Sequence, residues 1–258
     1  AMTAMGLGKH VYVEKPLAHT VWETRELTRM AREKKVITQM GNQGHTHDGT
    51  RLLREWVQAG VLGEVREVVS WTNRPFYPPW REPIGSFKAP DHSKFVPVVP
   101  KTMNWDAWLS VASPRPYDPA YAPWKWRGWW DFGTGAFGDV ACHIMDGAYW
   151  ALDLGAPTAV EAMSAGATKL ATPTASVVTN YFPARGNMPP VKYTWSDGSL
   201  MPPFPKELEF GRELPEEAGT ILFGSKATVL CSFYYETVRI IPEVKMQEIA
   251  PSLPAKTI

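Results

Sequence analysis

The first forty residues alternate helix-forming and strand-forming stretches, and this alternation constrains the fold more than any other feature of the chain. Ala1 to Leu7 is a run of helix formers stopped at Gly8, with no capping residue before it. The β-formers of His10 to Val13 then read as a short buried strand ending in the polar pair Glu14-Lys15. Thr20-Val21-Trp22-Glu23 is a capping box that opens a helix to about Lys35, with Trp22, Leu27 and Met30 or Ala31 toward the core. Val36 to Met40 is the next strand. A strand, a crossover helix and a second strand with short connections pair in parallel, as in a doubly wound α/β sheet. Residues 1 to about 40 therefore read as the last part of such a sheet.

The rest has a different rhythm. A helix from about His47 to Ala59 places Leu52, Leu53, Trp56 and Val57 on one face and stops at Gly60, and a strand follows from Val65 to Trp71. Eleven of the 24 prolines and eight of the 12 tryptophans then crowd into residues 71–130. The stretch from about 74 to 126 shows no sustained period. Its aromatic content points to a packed excursion over a pocket, with a short helix around Trp105 to Leu109. Another helix runs from Ala136 to about Leu152. After Pro157 come candidate strands at 159–165, 176–182, 191–195, 220–223, 228–233 and 238–241. The expected architecture is α/β plus α+β: a doubly wound remnant at 1–40, then a domain at 41–258 built on a large, open, mostly antiparallel sheet.

Composition narrows the function. Lys+Arg number 27 against 26 Asp+Glu in 258 residues, a net charge of +1, which supplies no field for nucleic acid or acidic membranes as partners. With 44% hydrophobic residues and no apolar run near the length of a membrane span, the composition is that of a globular chain with a sizeable core. Cys142 and Cys231 make neither a disulfide framework nor a CxxC pair, and read as buried thiols.

The chemistry concentrates in GTGAFGDVACHIMD, residues 133–146. Glycines opening a helix leave free backbone N–H groups, and the i, i+4 spacing puts Asp139 and His143 on one face. His143 beside a hydroxyl can act as general base, with Asp139 orienting it or contacting substrate. A surface histidine paired with its i−4 carboxylate satisfies the same spacing, and Asp139, His143 and Asp146 are also metal-ligand types, although no known metal signature is completed. Glu14-Lys15-Pro16 lies at the carboxyl end of a parallel strand, where α/β sheets bind ligands. There Lys15 can hold a substrate hydroxyl, sit by a cofactor or be a solvated charge. The run Gly41-Asn42-Gln43-Gly44-His45 falls at the same edge, as pocket lining or a simple turn. Trp124-Lys125-Trp126-Arg127-Gly128-Trp129-Trp130 can stack on a sugar or nicotinamide, or form a core cluster.

GKHVYVEKPL followed later by GTGAFGDVACHIMD resembles the Gfo/Idh/MocA oxidoreductases, the glucose-fructose oxidoreductase and inositol dehydrogenase family. The resemblance runs from Ala1 to the end, and is strongest to the branch with MGNQGH, NWDAWL and WRGWWDFGTG. It implies a Rossmann domain followed by an α/β domain, with hydride transfer between NAD or NADP and a sugar or cyclitol. Lys15, Asp139 and His143 become the catalytic set, and Glu14, Lys15, Trp126 and Arg127 lie near the cofactor. Asp146 takes a structural role, and no metal is implied. A homo-oligomer through the open sheet is also implied.

No GxGxxG follows a strand in these residues, so the resemblance puts the nucleotide loop before Ala1 and the closing helices after Ile258. The 258 residues alone are then expected to bind NAD weakly and to be inactive, the pyrophosphate-binding helix N-terminus not being among them. Thr134 replaces the middle glycine of the family's GGG run. The compartment stays open between cytoplasm and, with a signal before Ala1, periplasm. Redox-assisted glycoside cleavage with bound NAD is an alternative activity for the same site. A non-catalytic carbohydrate-binding module using the tryptophans is the alternative outside enzymes.

Overall fold

Two sheets organise residues 1–76 and 88–254, the residues that the computed structural model describes. In the smaller one β1 (Val11–Glu14) pairs in parallel with β2 (Thr38–Gly41), Val11 opposite Thr38 and Glu14 opposite Gly41. The crossover is α2 (Val21–Lys34), beside which α1 (Met2–Gly6) packs. The capping box forms as the sequence predicts: the Thr20 hydroxyl accepts the Glu23 N–H, and the Glu23 carboxylate accepts the Thr20 N–H. The core face of α2 differs from expectation, since Trp22 is 70% exposed. Two strands cover a helix along one line only, and Leu27 and Ala31 occupy it, facing Met5, Val11, Val13 and Met40 around a cavity of about 400 Å³.

The larger sheet has seven strands: β3 (Val65–Thr72), β4 (Ala159–Ala165), β5 (Ala175–Phe182), β6 (Val191–Ser196), β7 (Ala218–Gly224), β8 (Thr228–Ser232) and β9 (Val238–Ile241). Their order is β4-β5-β6-β3-β7-β8-β9, antiparallel throughout except for the parallel β3–β6 pair. Among the described residues, α3 (Asp48–Gln58), α5 (Gly135–Ile144) and α6 (Asp146–Ala151) lie on one face, with Met246 and Ile249 packing against the same core from further along the chain. Leu53 and Trp56 of α3 join Val68, Tyr193, Leu222, Val229 and Ile240 of the sheet in the main core. On the opposite face Leu214 packs with Trp71, Ile221, Leu230 and Ile241. A further helix, α7 (Glu243–Ile249), follows β9 and is absent from the sequence reading.

The single helix expected from Ala136 to Leu152 is broken at Met145 into α5 and α6. Its cause is Tyr235, whose hydroxyl donates to the Ile144 carbonyl at 2.6 Å and accepts the Ala148 N–H at 3.0 Å. Those two groups would otherwise bond each other as i and i+4, so the phenol has inserted itself into the helix ladder. Gly147 makes room for it, a Cβ there falling 2.6 Å from the Tyr235 ring.

The proline- and tryptophan-rich excursion contains α4 (Trp105–Leu109), where the sequence predicts it; residues 77–87 lie outside the described residues. Trp105 stacks on Trp108 with centroids 4.8 Å apart, and Tyr117, Tyr121, Trp129 and Phe132 close a small aromatic core around them.

Candidate active site

The carboxyl edge of the β1–β2 pair abuts α5, and polar side chains join them. Lys15, the residue after β1, donates from Nζ to Asp139 Oδ1 at 2.6 Å and to the Asp139 carbonyl at 2.7 Å. Arg127 Nε reaches the same carboxylate oxygen at 3.0 Å. One carboxylate, its side chain 11% exposed, thus holds an ammonium and a guanidinium together. The guanidinium lies 4.5 Å from the centroid of Trp126, in the 3₁₀ turn Lys125–Gly128. Gly133 lets that turn pack close, since a Cβ there would come within 2.5 Å of Arg127 Cα. Glu14 leans across Gly41, where a Cβ would sit 2.7 Å from its carboxylate.

Asn42, the residue after β2, makes the second set of contacts. Its Nδ2 donates to the Cys142 carbonyl at 2.7 Å, and its Oδ1 lies 2.6 Å from His143 Nδ1. His45 Nδ1 bonds Asp146 Oδ2 at 2.7 Å. Asp139 therefore does not orient His143, and the surface His–carboxylate pair does not form either. Asp139 is captured by two full cations, while His143 is 4% exposed and turns to Asn42. Among the described residues no three His, Cys, Asp or Glu side chains converge as metal ligands, and Asp146 is engaged by His45 instead.

Burial first, then the nearby Lys15 charge, push the His143 imidazole down to about 4, against a smaller opposing pull from Asp139. At neutral pH the ring is uncharged. Tyr234 packs edge-on against it at 5.1 Å between centroids, from a backbone with φ of 56°, and covers Gly44. Burial pushes the Tyr234 phenol up. Burial likewise pushes the Cys142 thiol up to about 11 and the Cys231 thiol higher still, so neither is a thiolate nucleophile at neutral pH.

The structure thus brings Lys15, Asp139, His143 and Arg127 into one cluster, with Trp126 beneath the arginine, while Glu14 is exposed and lies over Gly41. Asn42 as the partner of His143 is the residue that sequence reasoning missed. Its signal was a place in a polar run at the strand edge, which a turn explains equally well. Tyr234, in a 3₁₀ turn Phe233–Tyr235, carried no signal.

The sequence matches two family models. Residues 1–42 match the oxidoreductase family's NAD-binding Rossmann fold, and residues 54–180 match the same family's C-terminal alpha/beta domain. The chain belongs to the Gfo/Idh/MocA oxidoreductase family. No curated protein matches it. Among solved structures, the Gfo/Idh/MocA chain resembles an NAD binding oxidoreductase from Klebsiella pneumoniae, with a TM-score of 0.57 and 17% identity over 93% of this chain and 52% of that one. WlbA dehydrogenase from Bordetella pertussis, crystallised with NADH and UDP-GlcNAcA, gives 0.55 and 17% identity over 98% of this chain and 59% of that one. A levoglucosan dehydrogenase in complex with NADH and levoglucosan gives 0.57 and 16% identity over 93% and 52%. At these identities the likeness is one of fold. The chain spans just over half the length of the structures it resembles.

Proposed function

We propose that this chain carries the substrate half of an NAD(P)-dependent oxidoreductase acting on a secondary alcohol of a sugar or polyol, with Lys15, Asp139 and His143 as its catalytic residues. The observation that carries the reading is a buried, uncharged imidazole beside a lysine that a carboxylate holds in place, at the carboxyl edge of a parallel strand pair. The donor set suits a nicotinamide. Lys15 and Arg127 offer N–H groups, Asp139 between them offsetting one of their two positive charges, and Trp126 offers an aromatic face. Glu14, Lys15, Trp126 and Arg127 are the residues of this chain that would hold that end of the cofactor. The family model over residues 1–42 and neighbours crystallised with NADH favour NAD as its kind.

When bound, the nicotinamide would accept a hydrogen together with its electron pair from the carbinol carbon. His143 Nε2 takes the hydroxyl proton, so the alcohol loses both hydrogens and becomes a carbonyl. The Lys15 ammonium donates to the alcohol oxygen and stabilises the negative charge growing there. Asp139 keeps that ammonium aimed, and Arg127 keeps Asp139 aimed. Levoglucosan and UDP-GlcNAcA, bound by the neighbours, are both carbohydrates, in keeping with a sugar substrate. The described tryptophans divide over a sugar-stacking module, since Trp124 and Trp130 stay exposed, at 40% and 39%. Trp71 and Trp129 are buried, and Trp105 and Trp108 are spent on each other.

These 258 residues contain no strand followed by GxGxxG, so by themselves they hold the dinucleotide weakly in this reading. Self-association would use the outer face of β4, β5, β6 and β3, where Met163 pairs with Val177, Thr194 lies between Thr179 and Val69, and no described helix covers them.

In the intact protein, His143→Ala is expected to lower kcat by at least about 100-fold while cofactor affinity, followed by fluorescence titration, stays within a small factor. Wild-type turnover in that variant refutes the assignment.

A further inference from the structure

The amide of Asn42 has only one orientation that its surroundings allow. On one side lie the Cys142 carbonyl, at 2.7 Å, and the carboxylate of Asp146, which the Asn42 amide also engages. The carbonyl can only accept, so the NH₂ group must face it. Oδ1 must then face His143. An amide oxygen donates nothing, so His143 Nδ1, 2.6 Å away, has to carry a hydrogen. In the uncharged ring this leaves the lone pair on Nε2. A histidine side chain free in water favours the opposite arrangement, with the hydrogen on Nε2, and in that form the nitrogen away from Asn42 could accept no proton.

We propose that Asn42 is a positioning residue that holds His143 as the Nδ1–H tautomer and so makes Nε2 the basic nitrogen of the site. The proposal rests on the reading of His143 as the base. Two features make the device rigid. Cys142 O belongs to the last turn of α5, where carbonyls have lost their helical partners, so Asn42 caps the helix and orients its histidine at once. His45 holds Asp146 at 2.7 Å, and so the acceptor that Asn42 faces is itself fixed. Tyr234 closes the other side of the ring, edge-on. The arrangement also links the two sheets. Asn42 follows β2, whereas His143 lies on the helix covering the large sheet, so the basic nitrogen is defined only when the strand pair and α5 are docked.

Nitrogen-15 NMR of histidine-labelled protein reads the tautomer directly, with His143 assigned by the signals lost in His143→Gln. In the wild type at neutral pH, Nδ1 is expected to be protonated and Nε2 bare. Asn42→Ala should move the hydrogen predominantly to Nε2, and in the intact enzyme kcat should fall about 10- to 100-fold with KM within about twofold. Asn42→Asp, which keeps an acceptor at that position, should keep Nδ1 protonated. A wild-type His143 with its hydrogen on Nε2 overturns the proposal, as does an Asn42→Ala protein whose ring state and kcat are unchanged. Failure of the oxidoreductase reading looks different: a wild type without turnover whose His143 still carries its hydrogen on Nδ1.

Discussion

Among the described residues the imidazole of His143 has no charged hydrogen-bond partner, and its acid–base behaviour follows from that. Its folded value of about 4 lies below the ordinary histidine value of 6.5, so between these limits the unfolded chain binds a proton that the folded one refuses. Stability contributed by the neutral ring is complete above about pH 6.5 and is lost as pH falls toward 4, by up to about 3 kcal/mol. Denaturant melts of wild type and His143→Gln should therefore diverge above pH 5 and converge toward pH 4. Parallel curves over that window would mean that the ring is not buried uncharged. The same residue shows where sequence spacing misleads. Four residues of separation put Asp139 and His143 on one helix face, which is correct, but a shared face does not make a hydrogen bond when Lys15 and Arg127 compete for the carboxylate.

At the scale of elements, the break between α5 and α6 is the feature that sequence patterning could not supply. Helical periodicity continues through Met145, and no proline marks a stop. The interruption comes from a hydroxyl ninety residues downstream, held by a turn in which Tyr234 and Tyr235 both adopt positive φ, at 56° and 59°. Gly49 of α3 packs directly on the Tyr235 carbonyl, with no room for a Cβ. Tyr235→Phe should cost about 1–3 kcal/mol, because Ala148 N–H loses its acceptor. Gly49→Ala should cost at least as much, since α3 must shift away from a backbone group. Unfolding midpoints equal to wild type would show that the helix straightens and restores its own bond. By contrast, the capping box of α2, the glycine stop after α3 and the nine described strands follow from local rules, and the sequence reading of those elements agrees with the structure to within about two residues.

At the scale of the whole molecule the described residues form two sheets with side-chain contacts bridging them at the site, and the open face of the larger one sets the remaining prediction. Every residue of β4 is exposed, Met163 at 73%, and β4 pairs only with β5. If this face is the interface between copies, Val177→Asp should shift sedimentation from oligomer to monomer without unfolding the sheet, because its neighbour Val178 points to the core and Val177 does not. A wild type that sediments as a monomer would remove the interface. The sequence by itself determined the strands and their order along the chain, the parallel pair followed by the antiparallel-rich sheet, and the two motifs that carry the family, but not α7 or the break between α5 and α6. Those follow from hydrophobic period, capping and turn residues, which act within a few positions of each other. Only the tertiary structure decided which groups meet. His143 and Asn42 are 101 residues apart and Lys15 and Asp139 are 124, and such pairs form only where two packed surfaces bring them within hydrogen-bond range.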